Sequence, residues 1–347
     1  MKSNLKYFDN KRHYPVLDLT KFIMAFFVVA GHTLPVLGSN NIIIDNTYTV
    51  ITNLAVPFFF ICSGFLLSRK FNINLYDHNN FVIVKKSLFR FVKLYIVWSA
   101  IYFPLAIAFY KLNGFSFKYA ALDYIRGFLL VGEHYNSWIL WYVLATIYTL
   151  ILIMVLIKLK AKVSIFFLAG IVSLVFGAGI DYINCVSSDN SVVVALKNLF
   201  YFTIINGRIF QAPFLMIFGL FFTKLDMNKV LSSVVLVVGI FISIIFYNKI
   251  ISQLLVDLCS PFLFCLLINF KLRQSVIYSK LRFLSKYIFF THLWIWTIYY
   301  WIVYGTKTFG LDCFAVTSVC SLIFSIFIGA LLYFWNKYYK GRLKGRA

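Results

Sequence analysis

The sequence predicts an all-α polytopic membrane protein of about ten transmembrane helices, with both termini in the cytoplasm. Three observations predict it. The first is composition: 62% of the 347 residues are hydrophobic and 13% are charged, whereas soluble domains are near half apolar and about a quarter charged. The second is the grain of that apolarity. It falls in runs near the ~20 residues a helix needs to cross a bilayer, and not in the alternating segments of about ten residues that build a membrane barrel. The third is charge placement. Of the 33 Lys and Arg, 24 lie on segments that a ten-span chain with an internal N-terminus keeps inside, and six lie on outer loops. That is a strong positive-inside bias. The formal net charge of +22 therefore reads as cytoplasmic-loop charge, and no nucleic-acid partner is expected. Six cysteines show no metal-ligand spacing, so no metal site is expected; most lie in apolar runs, where cysteine behaves as a small hydrophobe, while Cys185 and Cys313 could face the outer compartment and pair.

In chain order, residues 1–15 form a basic cytoplasmic N-terminus carrying Lys2, Lys6, Lys11 and Arg12. The transmembrane domain is expected over 16–336 and a basic cytoplasmic tail over 337–347. Span one covers about 16–37; it is too long for the core of a cleavable signal, and no small-residue cleavage site follows. Span two covers about 48–68, and a charged loop with Arg69, Lys70, Lys85 and Lys86 follows. Span three begins within LFRFVKLYIVW and ends near 110. The mixed stretch 114–136 reads as a partial helix at the outer interface. Span four starts near Ser137 and ends before Lys158. The rest are about 163–181, 198–222, 230–247, 250–270, 283–304 and 313–336.

Polar groups inside such spans are costly and point to cavities or partner helices. Lys21 and His32 stand eleven positions apart in span one. That is three helical turns and about 16 Å, so both lie on nearly one face. Asp18 precedes them on the same run. A neutral imidazole is the natural general base near physiological pH. Ser63 and Gly64 sit in span two, Arg208 near mid-depth in span six, Asp257 in the outer half of span eight and His292 near the middle of span nine. Each also has a plainer reading. Lys21 can snorkel to headgroups, Ser63 can permit close helix packing, Asp257 can pair with Arg208, and His292 can be a neutral core histidine. Arg90 and Lys93 share a helix face at the inner mouth of span three, beside Lys86. They read either as ordinary inside charge or as a clamp for a phosphorylated ligand.

Taken together, these motifs resemble the acyltransferase-3 family of membrane O-acyltransferases, which includes O-antigen and exopolysaccharide acetylases. LDLTKFIMAFFVVAGH resembles its opening motif of a basic residue and a histidine with ten residues between, and VPFFFICSGFLL its second-span signature. Arg90 and Lys93 fall where the family has an Arg-x-x-Arg pair. HYNSWILWYVLA, with Trp138, resembles its fourth span, and NGRIFQAPFLMIFGL and LSKYIFFTHLWIW resemble later signatures. Lys21 and Lys93 stand where arginine is usual, which keeps the charge and loses the bidentate fork. That places the chain nearer the branch that includes exopolysaccharide-locus members and the membrane domain of a serine racemase; no racemase domain is expected after it.

The resemblance implies transfer of an acyl group, usually acetyl, from cytoplasmic acyl-CoA to a hydroxyl of a surface or lipid-linked glycan, with no bound cofactor. On this reading Lys86, Arg90 and Lys93 hold the phosphates of acyl-CoA, and the thioester arm rises past Lys21 to the base His32. Arg208 or His292 steadies the oxyanion, while Glu133, His134, Trp138, Ser63, Asp18 and Asp257 touch the acceptor or support the site. The competing expectations are a transporter of a polysaccharide unit or small polar solute, and a structural partner in a polysaccharide-secretion complex.

Overall fold

The computed structural model describes residues 14–36, 39–134, 136–302 and 309–344, with side chains to 335. The basic residues expected at the N-terminus (Lys2, Lys6, Lys11 and Arg12), Lys307 and the side chains of the basic tail lie outside the described residues. Helix makes up 81% of the structure, and no strand occurs among the described residues. The helices are α1 Pro15–Thr33, α2 Ile42–Asn53, α3 Ala55–Ser68, α4 His78–Leu112, α5 Phe117–Arg126, α6 Leu140–Lys158 and α7 Val163–Cys185. They continue as α8 Ser191–Phe202, α9 Gln211–Phe221, α10 Lys229–Ile245, α11 Lys249–Ile268, α12 Val276–Ile302 and α13 Leu311–Lys344.

Among the described residues, seven stretches are long and apolar enough to cross a membrane: Pro15–Thr33, Ile42–Ser68, His78–Leu112, Leu140–Lys158, Val163–Cys185, Lys249–Ile268 and Leu311–Trp335. The chain is thus a multi-pass membrane protein. The other three expected spans differ in kind. α10 is an apolar helix of 17 residues. α12 has 27 residues but carries Lys280, Arg282 and Lys286 in its first half. The expected continuous span 198–222 is broken: α8 ends at Phe202, a 3-10 turn covers Arg208–Phe210, and only then does α9 begin. Span three also starts earlier than expected, because Asp77 caps α4 by accepting from the Asn79 amide. In the same way Asn41 caps α2 and carries span two back to Ile42.

The chain forms two compact units. Among the described residues, one comprises Tyr14 and those within 56–271, and the other those within 15–55, 272–302 and 309–344. In the first, α4 packs on α6, α6 and α7 on α9, and α10 on α11. Glycines set its closest approaches. A Cβ on Gly64 would lie 2.0 Å from the Met216 carbonyl oxygen, and one on Gly219 would lie 2.1 Å from that of Ile61, so α3 and α9 meet backbone to backbone. Gly207 makes the same kind of contact with Gly177 of α7, where its Cβ would stand 2.0 Å from a carbonyl oxygen. Backbone on both sides cannot yield as a side chain can. Gly207→Ala is expected to cost about 3 kcal/mol, measured as a lowered thermal unfolding midpoint in detergent.

In the second unit α1 packs on α2, α12 and α13, and α12 on α13. Ala25 and Val29 of α1 meet Ile288 of α12, with Phe22, Phe26, Leu284, Phe314 and Leu322 around them. The contacts ascend both helices together, so α1 and α12 run parallel.

Candidate active site

The packing stripe of the second unit explains what stands at its ends. Asp18, Lys21, Ala25, Val29 and His32 recur every three or four residues on α1 and therefore share one side. At the lower end Arg282 of α12 donates from Nε to Asp18 Oδ1 at 2.8 Å and from Nη2 to Oδ2 at 2.7 Å. The Asp18 side chain is only 7% exposed. A carboxylate buried that far needs such a partner, and arginine alone offers the fork. Lys21, one turn on, is half-buried and joins no ion pair among the described residues.

At the upper end the stripe advances one turn from Val29 to His32 on α1, and one turn from Ile288 to His292 on α12. The two imidazoles meet with ring centroids 5.3 Å apart and planes tilted by 30°. His292 is fully buried. Its Nδ1 is 3.1 Å from the Ile288 carbonyl oxygen. A carbonyl only accepts, so Nδ1 carries the proton and Nε2 of the neutral ring presents a lone pair. That Nε2 is buried and has no hydrogen-bond partner among the described residues. Steadying an oxyanion needs a donor at this atom, which only the imidazolium would supply. The neutral ring suits accepting a proton better than the oxyanion role expected of it. The end of α1 beside the pair is pinned: the Tyr48 hydroxyl donates to the Ala30 carbonyl, and the Gly310 amide donates to that of Thr33 at 2.8 Å.

The first unit holds the other expected residues. Arg208 does not sit in a continuous helix. It opens the 3-10 turn before α9, held by Gly207, whose amide donates to Asp181 Oδ1 at 2.9 Å. Arg208 Nη2 reaches both oxygens of Glu133, at 3.0 and 2.7 Å, and Nε donates to Asn206 Oδ1 at 3.2 Å. The guanidinium lies 5.5 Å from the ring centre of Trp141. The expected Asp257–Arg208 pairing is therefore replaced. Asp257, 1% exposed, accepts instead from Gln253 Nε2 at 3.1 Å. Trp138 stands half-buried in the turn before α6, and it is Trp141, three residues on, that faces Arg208. Ser63 donates to the Phe59 carbonyl at 2.9 Å and lies 3.0 Å from the Tyr142 hydroxyl; close helix packing is the work of Gly64.

His134, next to Glu133, is buried and stacked on Tyr124 at 4.0 Å between centroids and 9° between planes. Neither ring nitrogen has a hydrogen-bond partner among the described residues. Burial drives its pKa down to about 4, against a smaller upward pull from Asp123. The folded protein thus holds His134 neutral while the unfolded chain protonates near 6.5. The associated stability is full above pH 6.5 and is lost as pH falls towards 4, by up to about 3 kcal/mol. His134→Phe keeps the stacked ring and is expected to flatten that slope in unfolding midpoints measured against pH.

In the same unit, Lys86, Arg90 and Lys93 are exposed and recur at four and three residues along α4, so they share one face as expected. None joins an ion pair among the described residues. Lys70, just beyond α3, belongs with them: burial and then the charge of Arg90 pull its pKa down. A set of like charges without carboxylates is a place for an anion.

Residues 14–335 match the acyltransferase-3 family, described as an acyltransferase domain. The chain belongs to that family. It is also similar to two proteins of Enterococcus faecalis named amino-acid racemase. The first is 32% identical over 143 residues, which is 41% of this chain and 19% of that protein. The second is 28% identical over 212 residues, 59% of this chain and 27% of that protein. The chain thus matches about a fifth and about a quarter of the length of these relatives. No solved structure matches.

Proposed function

We propose that this member of the acyltransferase-3 family works in the bacterial cytoplasmic membrane. It moves an acyl group, in the first instance acetyl, from cytoplasmic acyl-CoA to a hydroxyl of a cell-surface or lipid-linked glycan. The observation that carries the reading is the His32–His292 pair: two imidazoles side by side at the end of an apolar helix contact, one with a bare, buried nitrogen. His32 takes the proton of the acceptor hydroxyl, and the resulting alkoxide attacks the thioester carbonyl. The carbon–sulfur bond then breaks and the thiolate of coenzyme A leaves, taking up a proton. His292 Nε2 serves as the second acceptor for the proton held by His32. Lys86, Arg90 and Lys93, with Lys70, take the donor's phosphates. Glu133, Arg208 and Trp141 form a polar, aromatic surface suited to a sugar. No cofactor is required, and acyl-CoA is a co-substrate. The acceptor comes from polysaccharide-synthesis machinery.

A second reading, passage of a small polar solute such as an amino acid, draws on the similarity to proteins named amino-acid racemase. Donor dependence separates the two. Purified protein in liposomes is supplied with acetyl-CoA labelled in the acetyl group, with and without glycan acceptors. Label appearing on the acceptor, or released by hydrolysis, supports the transferase. Solute flux with no acyl donor present, and no turnover of donor, overturns it in favour of transport.

A further inference from the structure

A cavity of about 620 Å³ opens among α7, α9, α10 and α11 of the first unit, and none of the residues assigned to acyl transfer lines it. Its wall is almost wholly apolar and includes Phe214, Phe218, Val234, Val238, Leu255 and Leu258. Its floor is a close helix approach: a Cβ on Gly239 of α10 would lie 2.1 Å from Cys259 Sγ of α11. Val234 and Val238 are 52% and 49% exposed and Leu258 is 46% exposed, so the cavity opens to the surroundings of the helices and not to a closed core. In a membrane protein those surroundings are lipid.

Charge marks one end of this groove. Leu225, part of its wall, directly follows Lys224, and Lys229 opens α10. Lys224 Nζ stands over the Phe221 ring, 5.6 Å from its centre. The Met227 carbonyl accepts from Cys265 Sγ at 4.0 Å, which brings this turn beside the end of α11, after which Lys271 follows. Asp226 is the one acid in the turn and joins no ion pair among the described residues. Three lysines against one aspartate at the mouth of an apolar groove between helices of a membrane protein is the arrangement that holds an anionic lipid headgroup. The groove's reach fits the same ligand. From Lys229 to Gly239 is ten residues, about 15 Å of helix, which is half of a ~30 Å hydrocarbon core and so one leaflet.

We infer that this groove is a binding site for an anionic phospholipid, with one acyl chain along α10 and α11 and the phosphate between Lys224 and Lys229. A polyprenyl phosphate shares the headgroup chemistry, but its chain exceeds one leaflet and would overrun the groove.

The test is lipid retention by native mass spectrometry. The purified full chain is delipidated and then equilibrated with vesicles of phosphatidylglycerol, phosphatidylcholine or polyprenyl phosphate. Wild type is expected to retain phosphatidylglycerol about 20-fold over phosphatidylcholine and several-fold over polyprenyl phosphate. Lys224→Gln with Lys229→Gln, both at exposed positions, is expected to lower that retention about 20-fold while leaving phosphatidylcholine unchanged, since each basic contact is worth roughly fivefold. Val238→Trp, at a half-exposed position, fills the groove and removes retention of both phospholipids. Equal retention of the two phospholipids by wild type, stronger retention of polyprenyl phosphate, or unchanged retention in the lysine variant overturns the inference.

Discussion

His32→Ala is expected to lower acyl transfer by about 10²–10⁴-fold, the range supplied by a positioned general base. The protein should remain folded. His32 is only half-buried, at the end of α1, and the packing of that helix rests on Ala25 and Val29 below it. The loss should therefore appear in kcat, with binding of acyl-CoA and the thermal midpoint little changed. His292 refines the test. It is fully buried, its Nδ1 is committed to the Ile288 carbonyl, and its Nε2 faces inward without a hydrogen-bond partner among the described residues. His292→Gln keeps a polar group of similar reach but no titratable ring, and should cost less than the loss of His32. If the two imidazoles act as one unit, the double variant is no slower than His32→Ala alone, because effects within such a unit do not add. A His32→Ala protein that transfers the acyl group at the wild-type rate would remove the base from this mechanism. Independent, additive losses would instead separate His292 from the proton path.

Single-helix periodicity made much of this legible. Asp18, Lys21 and His32 fall on one face because helical spacing alone dictates it, and Arg90 and Lys93 do likewise on α4. What spacing within one helix leaves open is which face meets which other helix. Arg208 finds Glu133 across 75 residues, and Asp18 finds Arg282 across 264. Arg282 reads as ordinary inside charge when it is counted with its loop. The useful signal was a carboxylate within an apolar stripe, which demands a cation somewhere. The break before Arg208 was hidden for a different reason. Its flanks are apolar enough to pass for one span, and only Asn206–Gly207 marks the interruption. There the backbone is held by Gly177 and Asp181, residues of another helix. Trp138 and Trp141 lie in one aromatic signature, and the start of α6 at Leu140 decides which of them meets the guanidinium.

Arg282→Ala should be the most destabilising of the charge deletions, at about 3 kcal/mol. The arginine itself is 45% exposed, but Asp18 is 7% exposed and loses both donors at once. Stranding a buried carboxylate costs 3–5 kcal/mol in fully enclosed pairs, and access of solvent to the arginine end moves the expectation to the lower limit. Asp18→Asn should cost less, because it leaves the charge at the wetter partner. Arg282→Lys keeps the charge, loses the fork, and should fall between the two. Combining Asp18→Asn with Arg282→Gln removes the stranded charge and is expected to recover at least about 1 kcal/mol against the sum of the single losses, a coupling that unfolding midpoints can resolve. The pair lies 14 residues below His32 on α1, about 21 Å along the helix, and 10 residues below His292 on α12. It therefore fixes the register in which two parallel helices present their imidazoles. Arg282 is a positioning residue on this account. Variants that keep the fold should lose kcat and retain their affinity for acyl-CoA, and Arg282→Lys should restore more activity than it restores stability.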